Sequence, residues 1–560
     1  MSEEEHGDFL SSKTTVAIIL LIIYTISTPI FHKIHFHYVH ESGIIMILGL
    51  LIGVIANMFS STSVTKNLSF NDEVFFNFVL PPIIFSAGYN LKKKSFFTFF
   101  FYIVTFGIFG TLVSFGAVSS LTYISNKMNL FSPFNLNLKQ ILLFSSVIAS
   151  TDTVAALTFI NDDDHPKLFS ILFGEGVLND AVCIVLYRII KNFSFDNSAF
   201  TLWSVLSIIN SFMILFIIST LLGVLGGMLC SLILKKLKKF KLNRVQENSL
   251  IIFFAFLTYS VSESMGYSPI ISLLFCGIFM SHYAFYNLSF QSREESSIVS
   301  KIMSNIAEGF VFTYLGLTSG TISHEAFSLS FIVLVFIYCV IGRFLAVYGI
   351  SFIFNSIRCP GFTFSYNEQG IMFFAGCIRG AIAFGLAISI PEMGDKTIKQ
   401  LLISSTLVLV FFSTIVFGAL MASIVKYFTA EKKVEQKNEQ ELEKISLSGY
   451  EGEFVPVVEQ TKKEKVEENE RKISSRITKW WHKIDDNYLR PFFIDDWPDV
   501  KTEHNHIAKE IIGVLEEYQK SRIKKKILNK FDSSNSTKLG SFSSNSTGRM
   551  TNGESLLFKE

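Results

Sequence analysis

The sequence predicts an all-α protein that crosses a membrane many times and carries a polar tail. Three observations predict it. First, 49% of the 560 residues are apolar and 14% aromatic, with 59 Phe, while 17% are charged, against about 25% in soluble proteins. Mean hydropathy is +0.42. Second, about thirteen apolar runs succeed one another between residues 14 and 427, each near the ~20 residues needed to cross ~30 Å of hydrocarbon. Third, composition changes abruptly after Lys426, where Lys, Glu, Ser and Asn take over. The chain thus divides into a short N-terminus (1–13), a membrane domain (14–427) and a tail (428–560). The low-complexity stretch 533–547 and the residues beyond it are expected to be disordered.

In order, the runs span approximately 14–32, 41–59, 73–91, 95–125, 138–160, 168–190, 202–234, 246–265, 268–286, 299–319, 326–355, 368–391 and 398–427. Lysines set their orientation. Lys33, Lys92–Lys94 and the group Lys235–Arg244 follow odd-numbered runs, so those loops are expected in the cytosol. The acidic N-terminus then faces outside or a lumen, and it lacks the positive region of a signal peptide. Asn67 is a luminal glycosylation candidate, whereas Asn535 and Asn545 lie on the cytosolic side. With 49 Lys+Arg against 47 Asp+Glu, there is no basic excess of the kind a nucleic-acid binder shows. Six scattered cysteines without a CxxC pair argue against a disulfide framework or a zinc site. No Ser/His/Asp set or metal-ligand spacing suggests an enzyme, and no cofactor is implied.

The informative residues are charges inside the runs: Asp152 in the fifth, Glu175 and Asp180 in the sixth, Glu308 in the tenth, Arg343 in the eleventh and Arg379 in the twelfth. Glu263, in the eighth, is a further charge-compensating candidate. Each central charge costs about 2.5–3.5 kcal/mol to insert alone. Salt bridges account for any one pair, but two central carboxylates remain without an arginine. A buried excess of negative charge attracts protons or small cations. Asp180 sits beside Asn179, and Ser150, Thr151 and Thr153 flank Asp152; such oxygens suit a hard cation like Na⁺ or K⁺. Gly174 and Gly176 admit a close neighbouring helix. A carboxylate removed from water disfavours its bare charged form, so Asp180 is expected to hold a proton or an alkali cation, but not both.

Several stretches carry a family resemblance. They are Phe75–Tyr89 (FFNFVLPPIIFSAGY), Leu172–Ala181 (LFGEGVLNDA), Leu274–Gly277 followed by His282 and Tyr283, Ala307–Phe312, Phe374–Phe384 (FAGCIRGAIAF) and Trp481–Pro491 in the tail. In order and spacing the chain resembles the eukaryotic sodium/proton exchangers of the monovalent cation–proton antiporter superfamily, most closely their endosomal, organellar branch. The resemblance implies two inverted six-helix repeats, crossed and interrupted helices at the fifth and twelfth runs, and a homodimer. It also implies electroneutral exchange of Na⁺ or K⁺ for H⁺ by alternating access, in an endosomal or vacuolar membrane, with the plasma membrane as the alternative. It assigns Asp180 as the transport carboxylate, with Asn179 and Asp152 beside it. It further implies a Glu175–Arg379 pair joining the sixth and twelfth runs, Arg343 facing the ion site, and Glu308 as the tenth-run acid. The chain departs from the family pattern at Thr153, where a proline is usual, at Ser268-Pro269, and at Gly176. Rival readings are a cation channel, or a non-transporting scaffold or sensor acting through the tail.

Other features allow two readings each. His32, His35, His37 and His40 read as a solvated interfacial cluster or as a metal or pH site. Residues 161–164 (NDDD) gather cations or cap the next helix. Lys235–Arg244 bind anionic headgroups or only set topology. Residues 507–518 suggest an amphipathic helix for a regulatory partner.

Overall fold

The computed structural model describes residues 18–19, 21–23, 25–26, 41–59, 74–91, 93–160, 165–193, 202–240, 242–320, 327–357, 364–393, 396–447 and 483–495. The histidine cluster, Asn67, Asn535, Asn545, residues 161–164 and residues 507–518 all lie outside them. One compact unit runs to Asp495.

Among the described residues there are helices and no strands, and every predicted run after the first overlies a helix or a broken helix. These are α1 Glu41–Phe59; α2 Leu80–Tyr89, after a π turn Phe75–Val79; and α3 Lys93–Val104, carried through a π turn to Thr111–Lys127. The fifth run breaks into α4 Leu138–Ile148 and α5 Val154–Leu157. Then come α6 Pro166–Asn192, α7 Leu202–Leu237, α8 Arg244–Ser264, α9 Pro269–Phe279, α10 Phe290–Ser319 and α11 Leu329–Phe344. The twelfth run breaks into α12 Tyr366–Ala375 and α13 Ala381–Ile388, and α14 spans Lys396–Leu447. Among the described residues, six helices are long and apolar enough to cross a membrane, and three shorter ones are apolar.

Local chemistry fixes the helix starts. Asn137 with Gln140, Asn243 with Gln246, and Ser365 with Glu368 form capping boxes at α4, α8 and α12, satisfying backbone donors that the first turn leaves open. Ser268 caps α9 and Pro269 fills its first position, where a missing N–H costs nothing. The Ser-Pro departure therefore starts a helix rather than disturbing one.

The helices form two bundles. In one, α1, α2 and α7–α10 pack together; in the other, α3–α6 and α11–α14 do. Close backbone approach locks α1 to α10. Gly49 and Gly53 face Gly316 and Gly320, and a Cβ on Gly320 would sit 2.7 Å from the Val54 amide nitrogen. Paired small residues four apart are how membrane helices gain dispersion contact without a hydrophobic drive.

α14 continues to Leu447, and residues 483–495 return to the first bundle. Asp485, 1% exposed, accepts from the Tyr283 hydroxyl at 2.7 Å and from Arg490 Nε at 2.8 Å, and pairs with His282 at 2.8 Å. Lys235 donates to the carbonyls of Pro491, Phe492 and Ile494, and Lys238 pairs with Asp495 at 3.1 Å. Arg244 pairs with Glu295 at 3.1 Å. Lys235, Lys238 and Arg244 are thus each engaged by protein oxygens.

Candidate functional site

The site forms where the two broken helices meet. The α4–α5 break (149–153) and the α12–α13 break (376–380) touch: the Asp152 amide donates to the Ile378 carbonyl at 2.9 Å. Gly380 permits this approach, since a Cβ there would lie 2.9 Å from the Cβ of Asp152. The α5 side is unwound although Thr153 stands where a proline was expected. Its hydroxyl donates instead to the Leu172 carbonyl at 2.7 Å, so a side-chain bond to α6 holds the break that a missing N–H would otherwise favour. Thr153 occupies the space beside Gly176.

Arg379 serves the breaks themselves. It is 5% exposed, and its Nη1 donates to the carbonyls of Ser150 at 3.1 Å and Ala149 at 3.4 Å. Those oxygens lie at the carboxyl end of α4, where orphan carbonyls and the helix dipole favour a cation. The backbone of Arg379 is tied to α14 by Ser413 and Thr414. The expected Glu175–Arg379 pair is therefore corrected. Glu175 pairs with Arg343, and both are nearly fully buried. Arg343 also donates to the Met372 carbonyl at 2.7 Å, and Gly376 leaves room for its guanidinium. Arg343 thus clamps α6, α11 and α12.

Asp180 lines a cavity of about 390 Å³ together with Asp152, Thr151, Glu308 and Lys301. Its Oδ1 accepts from the Ser150 hydroxyl at 2.6 Å, and among the described residues no cation pairs with it. Asp152 Oδ1 accepts from the Ala155 amide at 3.3 Å. Glu308 accepts from the Ser304 hydroxyl at 2.8 Å. Asp152, Asp180 and Glu308 are all half-buried on the cavity wall. Asn179 sits behind the wall, 2% exposed, with its amide donating to Thr151 Oγ1 at 2.5 Å and its carbonyl accepting from the Cys183 thiol. It positions Thr151 rather than lining the cavity. Five predicted residues (Ser150, Thr151, Asp152, Asn179 and Asp180) are thus brought together and Glu308 joins them. Glu263 is not among them; it is exposed at a second cavity beyond Ile184.

Lys301 and Ser304 were absent from the sequence-based set. Both lie on the Glu308 face of α10, at spacings of seven and four residues, so helical periodicity around Glu308 was the available signal. The cavity offers carboxylates, hydroxyls and a backbone break, a donor set suited to a hard monovalent cation or to protons. Among the described residues no cluster of three His, Cys, Asp or Glu could hold a resident metal ion.

The family profile described as "Sodium/hydrogen exchanger, transmembrane" matches residues 17–427. Sodium/hydrogen exchanger 3 of Arabidopsis thaliana is 33% identical over 410 residues, covering 71% of this chain and 80% of that one. Sodium/hydrogen exchanger 1 of Oryza sativa subsp. japonica is 31% identical over 493 residues (84% and 91%), and sodium/hydrogen exchanger 9 of Mus musculus is 28% identical over 565 residues (89% and 84%). Among solved structures, a sodium proton antiporter from Methanocaldococcus jannaschii at pH 8 superposes with a TM-score of 0.56 at 16% identity, covering 74% of this chain and 98% of that one. That likeness concerns the fold.

Proposed function

Because the chain belongs to the sodium/hydrogen exchanger family, we propose that it exchanges one alkali cation for one proton at Asp180 by alternating access. It is a multi-pass membrane protein with the antiporter fold. One observation carries the reading: Asp180 faces a cavity at the crossing of two broken helices, bonded to the Ser150 hydroxyl and, among the described residues, paired with no cation. A carboxylate so placed holds a proton or trades it for Na⁺ or K⁺, with Thr151, Asp152 and Ser150 replacing part of the hydration shell. Asn179 holds Thr151 in place. Binding either one proton or one monovalent ion at a single acid makes the cycle electroneutral.

By the loop lysines, the Asp180 cavity opens to the cytosol near Asn90 and Lys301. Rocking of one bundle against the other would close it and open the far side. In an endosomal or vacuolar membrane the exchanger would let luminal protons out in return for cytosolic cation, limiting acidification. The family resemblance supports a homodimer, and the docked segment 483–495 supports a regulatory tail.

Reconstituted flux tests this directly. If H⁺ and cation compete for one site, the cation half-saturation constant should rise about tenfold for each unit that pH falls once the acid is mostly protonated, with maximal rate unchanged and no dependence on voltage. Fluxes with Na⁺ and K⁺ compared at each pH give the selectivity. A half-saturation constant independent of pH, or current accompanying transport, would reject single-site competition.

A further inference from the structure

Two cavities flank the crossing, and their charges are opposite. The Asp180 cavity carries three carboxylates against one amine, Lys301. The second, of about 370 Å³, begins at Ile184, one turn beyond Asp180 on the same helix, and is lined by Arg188, Lys191 and Glu263 beside Tyr187 and Tyr259. There two cations meet one carboxylate. Arg188 is half-buried, with Nη1 donating to the Tyr267 carbonyl at 2.7 Å. The exposed Lys191 lies 5.8 Å from the Tyr187 ring centroid. Ser389 accepts or donates across to Tyr187 at 3.1 Å, and Tyr259 donates to the Phe76 carbonyl at 2.7 Å. These bonds tie α6 and α8 to the π turn before α2 and to the end of α13.

We propose that Arg188 and Lys191 make this vestibule a cation-shedding mouth, so that the exchanger binds alkali cation more weakly from the luminal face than from the cytosolic one. Clefts with a net charge between low-dielectric walls raise or lower the local concentration of small ions. Three carboxylates gather cation on the cytosolic side. When Asp180 turns to the far side, the nearby guanidinium and ammonium lower local cation concentration and oppose rebinding. The two residues are specificity-determining for the side of exchange, and they touch no bound ion. Lys191 also lies in the last turn of α6, where a cation favours the helix dipole; that role alone predicts no effect on cation affinity. The inference rests on exchange at Asp180 and on the loop-lysine orientation.

The test uses the full-length exchanger in sealed vesicles whose tail is accessible to added protease, with Na⁺ half-saturation measured separately on each face. The wild type should show a higher constant on the luminal face. Lys191→Glu should lower it by about threefold or more and Lys191→Gln by less, with the cytosolic constant unchanged. Raising luminal ionic strength with choline chloride should produce the same shift in the unmutated protein, because screening weakens the repulsion. Equal constants on both faces, an unchanged luminal constant in both variants, or parallel movement of both constants would overturn the proposal. Persistent flux in an Asp180→Asn control would instead overturn exchange at Asp180.

Discussion

Glu175 and Asp180 stand five residues apart on one helix and meet opposite fates. Glu175 is 1% exposed and locked to Arg343, itself bonded to the Met372 carbonyl. Asp180 lies on a cavity wall with a serine hydroxyl as its partner. A fixed guanidinium neutralises the first permanently, leaving nothing to exchange. In the proposed exchange the second takes its neutralising charge from solution, as a proton or an alkali ion. The side facing the bundle interior thus joins helices, and the other side faces a cavity. Burial of an acid within a membrane is therefore a weaker guide to transport than the absence of a resident counter-charge.

The sharpest way to break this contrast is to neutralise each acid. Asp180→Asn should reduce exchange to background while thermal stability is retained, because removing an uncompensated charge costs the fold nothing; flux at the wild-type rate would dissolve the distinction. Glu175→Gln should do the reverse in kind, destabilising the protein by about 3–5 kcal/mol by leaving Arg343 buried and unpaired. Combining Glu175→Gln with Arg343→Met should recover much of that loss, measured by thermal unfolding in detergent. If Glu175→Gln unfolds normally yet fails in transport, Glu175 belongs to the ion site instead.

A third, smaller effect sharpens the comparison by extending it to the tail. Burial alone would raise the Asp485 carboxyl, but the hydrogen bonds and charge of His282, the Tyr283 hydroxyl and Arg490 hold it below its ordinary value. A carboxyl lowered by folding contributes stability above its unfolded pKa and loses it as pH falls through the lowered value. Docking of 483–495 should therefore draw constant support from Asp485 near neutrality and lose it only below about pH 4. Asp485→Asn should weaken docking by about 1–3 kcal/mol, seen as faster amide exchange in 483–495. The smallest effect is expected at Ser150→Ala, about 0.5–1.5 kcal/mol from a lost hydrogen bond, read as a several-fold change in cation half-saturation with the fold unaltered.

Much of this was legible in the sequence. Apolar runs located the helices because hydrocarbon imposes a length, and the charges within them marked the centre because insertion is costly. The motif around Asn179 and Asp180 pointed to the acid that lines the cavity. Partner choice was not legible. Whether Glu175 reaches Arg343 or Arg379 depends on where two broken helices cross, and Gly376 decides it by leaving space for one guanidinium. Arg379 faces instead the carbonyls left open at the end of α4, partners that no side-chain motif advertises. The contacts of Asp485 with His282 and Tyr283 were likewise not legible, because Asp485 and Arg490 look solvent-bound until those residues are brought beside them.

The central claim is that cation entry displaces a proton from Asp180. Proton release from purified protein in weakly buffered detergent, recorded as Na⁺ is added, tests it most directly. One proton released per cation bound, and none from Asp180→Asn, is the predicted result. Saturable Na⁺ binding without proton release, or equal release from Asp180→Asn, would contradict it.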